Sequence, residues 1–200
     1  MEAERTYREL MTAGPQKLAD LLAALRSFLG QNDMMAYLTM MAVRLVELHR
    51  VLKPEGSIYL HCDPTASHYL KTLMDAVFGG RNFINEIIWH YRKWPTGKYG
   101  FQRNHDVILF YARTATRSRT FNQSYLDRAA STLKRFGTAK IVSGHTSEGR
   151  RVPSETTEEE SPGVRRDDVW DIGRVPPIKQ LFPTQKPDEL LDRIIEASSK

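Results

Sequence analysis

The chain predicts an α/β fold, and three observations carry that expectation. An amphipathic run over 34–52 is followed at once by a β-rich hexapeptide, Ser57-Ile58-Tyr59-Leu60-His61-Cys62, and then by a second helical run over 65–78. Two further β-rich stretches, 85–91 and 106–112, come next. A last amphipathic segment over 188–198 follows a basic, weakly patterned middle. Helix, tight turn, strand, tight turn and helix in succession is the grammar of a parallel α/β sheet with helices on its faces.

Residues 2–29 read as helix with a break at Gly14-Pro15, because proline cannot donate to an upstream carbonyl and suits the first turn of a new helix. Leu18, Leu21, Leu22, Leu25 and Leu29 then recur at helical spacing, and Gly30 is a stop. The next helix has Asn32 or Asp33 as its cap. Met34, Tyr37, Leu38, Met41, Leu45, Leu48 and Leu52 make its apolar stripe, and Pro54 and Gly56 end it. Such a stripe is core far more often than ligand surface. The strand 57–62 reads as buried. Asp63-Pro64 behind it supplies a good cap and a good first helical residue, and Gly79-Gly80 closes the helix that follows. Ile87, Ile88 and Trp89 mark the strand 85–91, and Val107 to Tyr111 mark the strand 106–112. The basic stretch 92–105 between them, with Trp94, Tyr99 and Phe101, reads as an exposed loop.

From 113 the character changes. Arg113, Arg117, Arg119, Arg128, Lys134, Arg135, Lys140, Arg150 and Arg151 face only Asp127 and Glu148, and apolar periodicity is weak. Glu155 and Glu158-Glu159-Glu160 follow near Pro153, Pro162 and Gly163. That composition predicts a flexible segment over 113–163, part of it disordered in isolation. Order is expected to resume at Val169-Trp170-Asp171-Ile172, with a stiff turn at Pro176-Pro177 and a closing helix over 188–198 whose Leu190, Leu191, Ile194 and Ile195 face inward.

Composition bounds the function. A net charge of +5 and a pI near 9.3 favour an anionic partner without proving one. A single cysteine, Cys62, excludes an intrachain disulfide and a cysteine-rich zinc site. The six histidines show no metal-ligand spacing. No run of 18 apolar residues spans a membrane and no signal-peptide layout opens the chain, so a cytoplasmic protein is expected. Neither a dinucleotide-binding nor a P-loop glycine pattern is present.

Three places carry chemistry. His61-Cys62-Asp63 ends a strand and opens a helix, and ligands in open α/β sheets gather at the carboxyl ends of strands. The plainer account, Asp63 as a helix cap and His61 as a satisfied core residue, stands ahead on these residues alone. Thr184-Gln185-Lys186-Pro187 sets a hydroxyl, an amide and an ammonium before a helix N-terminus, which suits a carboxylate. A simple helix-entry turn is an equal reading. The basic stretches 92–119 and 128–151, interleaved with Trp94, Tyr99, Phe101, Phe121, Tyr125 and Phe136, suit phosphates and unstacked bases. A solvated loop is the usual alternative, and the strands framing the first stretch favour the binding reading. Arg92, Lys93, Lys98, Arg103, Arg117, Arg119, Lys134 and Arg135 are the candidate nucleic-acid contacts.

In combination and order, these blocks resemble the N4-cytosine/N6-adenine amino-methyltransferases of DNA, the type III and β-group enzymes of restriction–modification systems. The resemblance covers most of the chain. It runs through Leu52-Lys53-Pro54-Glu55-Gly56-Ser57-Ile58-Tyr59-Leu60-His61-Cys62-Asp63-Pro64, Asn85-Glu86-Ile87-Ile88-Trp89 and His105-Asp106-Val107-Ile108-Leu109-Phe110-Tyr111. It continues through Thr120-Phe121-Asn122, Trp170-Asp171-Ile172 and Pro183-Thr184-Gln185-Lys186-Pro187. It implies a Rossmann-like methyltransferase sheet flanked by helices, with a basic target-recognition insertion. A partial methyltransferase domain over 1–112, the insertion over 113–168 and a return to the domain over 169–200 follow from it. So does S-adenosylmethionine as cofactor, with Thr184, Gln185, Lys186 and Pro187 at its edge and Asp63 at the neighbouring strand end. Double-stranded DNA is the implied partner, with room for a restriction subunit.

Two of the family's motifs have no counterpart here. The only Asp-Pro pair that could open its Asp-Pro-Pro-Tyr/Phe loop is Asp63-Pro64, which continues as Thr65 and belongs to another block. No F-x-G-x-G loop is present either. The expectation is a fragment, incomplete at both ends, with no catalytic residue of its own and inactive alone. In the complete enzyme the target base would be flipped into an aromatic slot and its amine would attack the cofactor's methyl in line, by positioning and electrostatics. The alternative is a DNA-binding or partner-docking remnant without activity.

Overall fold

The computed structural model describes residues 2–95, 99–115 and 119–200. The chain forms two units, one of residues 1–122 with 168–200 and one of residues 123–167.

In the larger unit the helical expectations hold closely. α1 (Glu2–Ala13) and α2 (Gln16–Leu29) are separated at Gly14-Pro15, and Gly30 ends α2 with φ 73°. The Asn32 side chain accepts from the Met35 amide at 2.9 Å and so starts α3 (Asp33–Val51). β1 (Ser57–Cys62) follows, then α4 (Ser67–Met74), which widens into a π-helical turn over Asp75–Gly79. β2 (Phe83–His90) and β3 (His105–Ala112) come next, and β8 (Val169–Asp171) and α6 (Asp188–Ser198) complete the unit.

The sheet departs from the expected parallel arrangement. Its order is β1-β3-β2-β8. β3 runs antiparallel to β1 (Ser57 opposite Ala112, Cys62 opposite Val107) and to β2 (Trp89 opposite Asp106). Only β2 and β8 pair in parallel. Parallel neighbours need a crossover, usually helical, and the link from β2 to β3 contains no helical pattern, so β3 returns antiparallel. β1 and β2 are joined through α4 and do point the same way, with β3 inserted between them. β1 is half-buried along most of its length and, of the described strands, pairs with β3 alone. It is an edge strand here, where a buried one was expected.

Strand alternation makes the unit three layers deep. Val107, Leu109 and Tyr111 of β3 pack with Cys62 and with Leu18, Leu22, Leu38, Leu45, Leu70 and Leu73 of the helices α2 to α4. Ile108 and Phe110 point to the other face, where Ile87, Trp89, Tyr91, Trp170, Ile172 and Leu190 of α6 meet them. β3 is buried on both faces, which is why its sequence reads as an unbroken apolar run. The helix after β1 begins later than the sequence implies. Asp63 Oδ1 accepts from the amides of Thr65 (2.9 Å) and Ala66 (3.0 Å), forming a turn, and α4 then starts at Ser67 with no side-chain cap.

The smaller unit covers most of the stretch that the sequence predicts to be flexible. It holds β4 (Tyr125–Leu126) paired with β7 (Val164–Arg165), the short helix α5 (Ala130–Phe136), and an antiparallel ribbon of β5 (Ala139–His145) and β6 (Arg151–Glu160). None of its residues is buried. Ladder hydrogen bonds hold it, with Arg128 Nη1 donating to the carbonyls of Gly137 (2.9 Å) and Ala139 (2.7 Å) and Lys140 paired with Glu159.

Candidate functional site

β1 and β2 deliver their carboxyl ends to one edge of the sheet, and the residues that start β3 lie at the same edge. Alternation puts His61, Trp89, Tyr91 and Asp106 on the α6 face there. The carboxylate of Asp106 joins them. Its Oδ2 lies 2.9 Å from His61 Nε2, and its Oδ1 accepts from the Tyr91 hydroxyl at 2.9 Å. The Trp89 ring meets the His61 ring edge-on at 5.5 Å and packs against Tyr91 at 5.1 Å, while the Trp89 indole N–H donates to the Ile172 carbonyl at 2.8 Å. His61 keeps 32% of its side chain in solvent, so the cluster is anchored in the core but reaches the surface. Burial first, and then the hydrogen bond and charge of Asp106, push the Tyr91 hydroxyl up to about 12. Tyr91 therefore donates to Asp106 as a neutral phenol.

Sequence reasoning had His61 but not its partners. The available signal was β-periodicity, which sets His61 on the face of β1 shared with Tyr59 and Asp106 on the face of β3 shared with Ile108. The strand order needed to bring those faces together is not in the local pattern.

Cys62 points to the opposite face and is buried; burial, followed by the charges of Asp63, Glu86 and Asp106, pushes its thiol up to about 12. A thiol held that strongly protonated is no nucleophile. Tyr37 of α3 is raised too, chiefly by burial and then by Cys62 and Asp63. The Asp63 side chain is exposed, and its Oδ1 is engaged by the two turn amides, so it shapes the turn ahead of α4 and does not cap that helix.

Thr184, Gln185, Lys186 and Pro187 form the entry to α6. Thr184 sits at φ 67°, a left-handed conformation that a β-branched residue adopts only under strain. Neighbouring contacts hold it there. Gln185 Oε1 accepts from the Leu181 amide at 2.8 Å, and Lys186 Nζ donates to the Thr184 carbonyl at 2.9 Å. Pro187 begins α6 without a side-chain cap. A strained turn, an ammonium and a helix start without a side-chain cap fit a carboxylate in kind, although Asp188 and Glu189 in the first turn of α6 already answer part of its dipole. Leu190 packs into the α6-face core, and at the far end of the helix Ser198 Oγ lies 2.6 Å from the Tyr59 hydroxyl.

Of the candidate DNA contacts, Arg92, Lys93 and Arg103 are exposed on the loop after β2. Beside them Trp94, Tyr99 and Phe101 are 88%, 102% and 103% exposed, and rings left fully in water are available for stacking. Arg119 is half-buried, with its guanidinium 5.9 Å from the centre of the Phe121 ring. Lys134 and Arg135 are exposed on α5 of the smaller unit, Arg135 over the Phe136 ring. Lys98 and Arg117 lie outside the described residues. Among the described residues no helix is long and apolar enough to cross a membrane.

The family model for DNA methylases of the N6/N4 type matches residues 25–200. Type II methyltransferase M.HpaI of Haemophilus parainfluenzae is 28% identical over 158 residues, which cover 78% of this chain and 43% of that protein. The type III restriction-modification enzyme StyLTI Mod subunit of Salmonella typhimurium is 29% identical over 112 residues, 54% of this chain and 17% of that protein. Type II methyltransferase M.EcaI of Enterobacter cloacae is 36% identical over 82 residues, 39% of this chain and 18% of that protein. The chain thus spans less than half the length of each of these relatives.

Proposed function

We propose, from the premise that the chain belongs to the DNA methylase family, that it forms part of an enzyme transferring a methyl group from S-adenosylmethionine to the exocyclic amine of adenine (N6) or cytosine (N4) in double-stranded DNA. The observation that carries this reading is the family match over residues 25–200 together with a polar cluster at the carboxyl edge of the sheet, where α/β folds seat their ligands. Thr184, Gln185, Lys186 and Pro187 would hold the amino-acid end of the cofactor, Lys186 and the start of α6 meeting its carboxylate. Asp63 would serve at the strand end through the oxygen the turn leaves over. Bound there, S-adenosylmethionine would supply the methyl group.

The loop after β2 is the proposed DNA contact. Arg92, Lys93 and Arg103 would meet backbone phosphates while the exposed Trp94, Tyr99 and Phe101 stack on unpaired bases. Lys98, Arg117 and Arg119 are proposed alongside them. Lys134 and Arg135, in a target-recognition unit, would add phosphate contacts of their own. The 200 residues hold no Asp-Pro-Pro sequence, so transfer is expected only when such a loop is supplied. A restriction subunit is a proposed further partner, since one relative is named as a Mod subunit of a restriction-modification enzyme.

Calorimetric titration with S-adenosylmethionine, run on this chain and on the same chain joined to an Asp-Pro-Pro loop and an F-x-G-x-G loop, tests the reading. Mass spectrometry of the treated DNA accompanies it. The expected result is N6-methyladenine or N4-methylcytosine with the longer protein. Absence of both products and of cofactor binding in the longer protein would refute the function.

A further inference from the structure

We propose that His61 is a specificity residue that recognises the amino group of the target base, and that Asp106 and Tyr91 are the positioning residues that make it one. This rests on the methyltransferase reading and names a contact within it.

The argument is one of tautomers. A neutral imidazole has one N–H and one lone-pair nitrogen, and the partner of the first decides where the second points. A carboxylate accepts only, so Asp106 Oδ2, 2.9 Å from His61 Nε2, requires the proton on Nε2. In the neutral ring, the form this proposal assigns to His61, Nδ1 then carries the lone pair. Asp106 cannot rotate away to change this, because its other oxygen is held by the Tyr91 hydroxyl at 2.9 Å, and Tyr91 is itself only 4% exposed. The Trp89 ring steers the imidazole from the side, and the indole is in turn tied to the Ile172 carbonyl. The result is an acceptor of fixed sign at the carboxyl edge of the sheet, on a side chain that still reaches solvent.

An acceptor of fixed sign sorts the four bases into two classes. Adenine and cytosine present an exocyclic N–H donor where guanine and thymine present a carbonyl acceptor. His61 Nδ1 would pair with the first two and oppose the lone pairs of the others. The site would thus take either amino base and exclude both keto bases, the discrimination an amino-methyltransferase requires before its chemistry begins.

Asp106→Asn gives the sharpest test, because it keeps shape and size while reversing the sign. The Tyr91 hydroxyl would retain the amide oxygen, the amide N–H₂ would face His61 Nε2, and the ring proton would move to Nδ1. Nitrogen-15 spectra of the histidine-labelled chain read the tautomer directly, the His61 signals being assigned by their loss in His61→Asn. Titration with the monophosphates of deoxyadenosine, deoxycytidine, deoxyguanosine and thymidine then reads base preference at Nδ1, with far-UV circular dichroism confirming that each variant is folded. The parent is expected to show the Nε2–H tautomer and to favour the two amino nucleotides by about tenfold, one decade in affinity. Asp106→Asn is expected to show the Nδ1–H tautomer and lose or invert that preference. Tyr91→Phe is expected to narrow it. An Nδ1–H tautomer in the parent, equal response to all four nucleotides, or response to none of them overturns the proposal. Cofactor binding is read separately by calorimetry. A chain that binds S-adenosylmethionine without a base preference refutes the role of His61 and leaves the methyltransferase reading standing, whereas failure of that reading is decided by the longer protein.

Discussion

Replacing Tyr111 by phenylalanine should separate a hydrogen bond from the packing around it. Tyr111, next to last in β3, is fully buried, and its hydroxyl donates to Asp75 Oδ1 at 2.7 Å, on the π-helical turn that continues α4. The other carboxylate oxygen of Asp75 pairs with Lys71 Nζ at 2.7 Å, and that ammonium lies 4.2 Å from the centre of the Phe83 ring. Phenylalanine keeps the ring, so no cavity opens and the loss is the hydrogen bond alone. A bond to a charged acceptor is worth about 1.5–3 kcal/mol. The Asp75 side chain is 36% exposed, so water recovers part of it and about 1–2 kcal/mol is expected for Tyr111→Phe. Asp75→Ala should cost more, roughly 2–3 kcal/mol, because it leaves a buried hydroxyl whose next acceptor, the Lys71 carbonyl, is 3.4 Å away. The double variant should fall short of the sum by about 1–2 kcal/mol, since both changes remove one interaction. Urea unfolding followed by far-UV circular dichroism at pH 7 measures all three. Additive losses would mean that Asp75 bonds water in preference to Tyr111, and the account of this contact would be wrong.

Stability should also fall as the solution is made alkaline. Tyr59, Tyr91, Tyr111 and Cys62 are all raised in the folded state, chiefly by burial, so between their ordinary and folded values the unfolded chain releases protons that the native chain keeps. The unfolded state then binds fewer protons, and stability drops with rising pH, from about pH 9 for the thiol and pH 10 for the phenols. Denaturation midpoints that stay flat from pH 8 to 11 would contradict this. Asn32→Ala should lower stability by about 1 kcal/mol through loss of the α3 cap, read as a drop in Tm. Thr184→Gly should stabilise the unit, by up to about 1 kcal/mol, by relieving the left-handed residue, while weakening S-adenosylmethionine binding if the turn serves the cofactor. Arg92→Ala and Lys93→Ala should each reduce the slope of log K against log salt for DNA by about one, and an unchanged slope would remove that residue from the interface.

Much of the larger unit was legible in the sequence because its helices carry their instructions locally. The leucine spacing of α2, the Asn32 cap of α3 and the apolar face of α6 are each stated within a few residues. β1 and β3 likewise announce themselves by composition. The smaller unit was not legible, for a matching reason. With no residue of 123–167 buried, selection for an apolar face left no periodic trace, and the ribbon is specified by hydrogen-bond ladders that many sequences satisfy. At the site, the Thr184–Pro187 run was readable as a helix entry from proline placement alone, but the left-handed Thr184 was not, since no glycine marks it.

The sequence by itself determined the main elements of the larger unit, their order and the family, because these depend on propensity, periodicity and short motifs read along the chain. It did not determine the direction of β3 or the company of His61. Those rest on which strands lie side by side, and the contacts that result join residues 45 positions apart, as in His61 and Asp106. A histidine at the end of a strand has the same local sequence whether its ring is idle or locked. Only the antiparallel return of β3 sets a carboxylate against it, and with that contact the imidazole acquires a fixed sign.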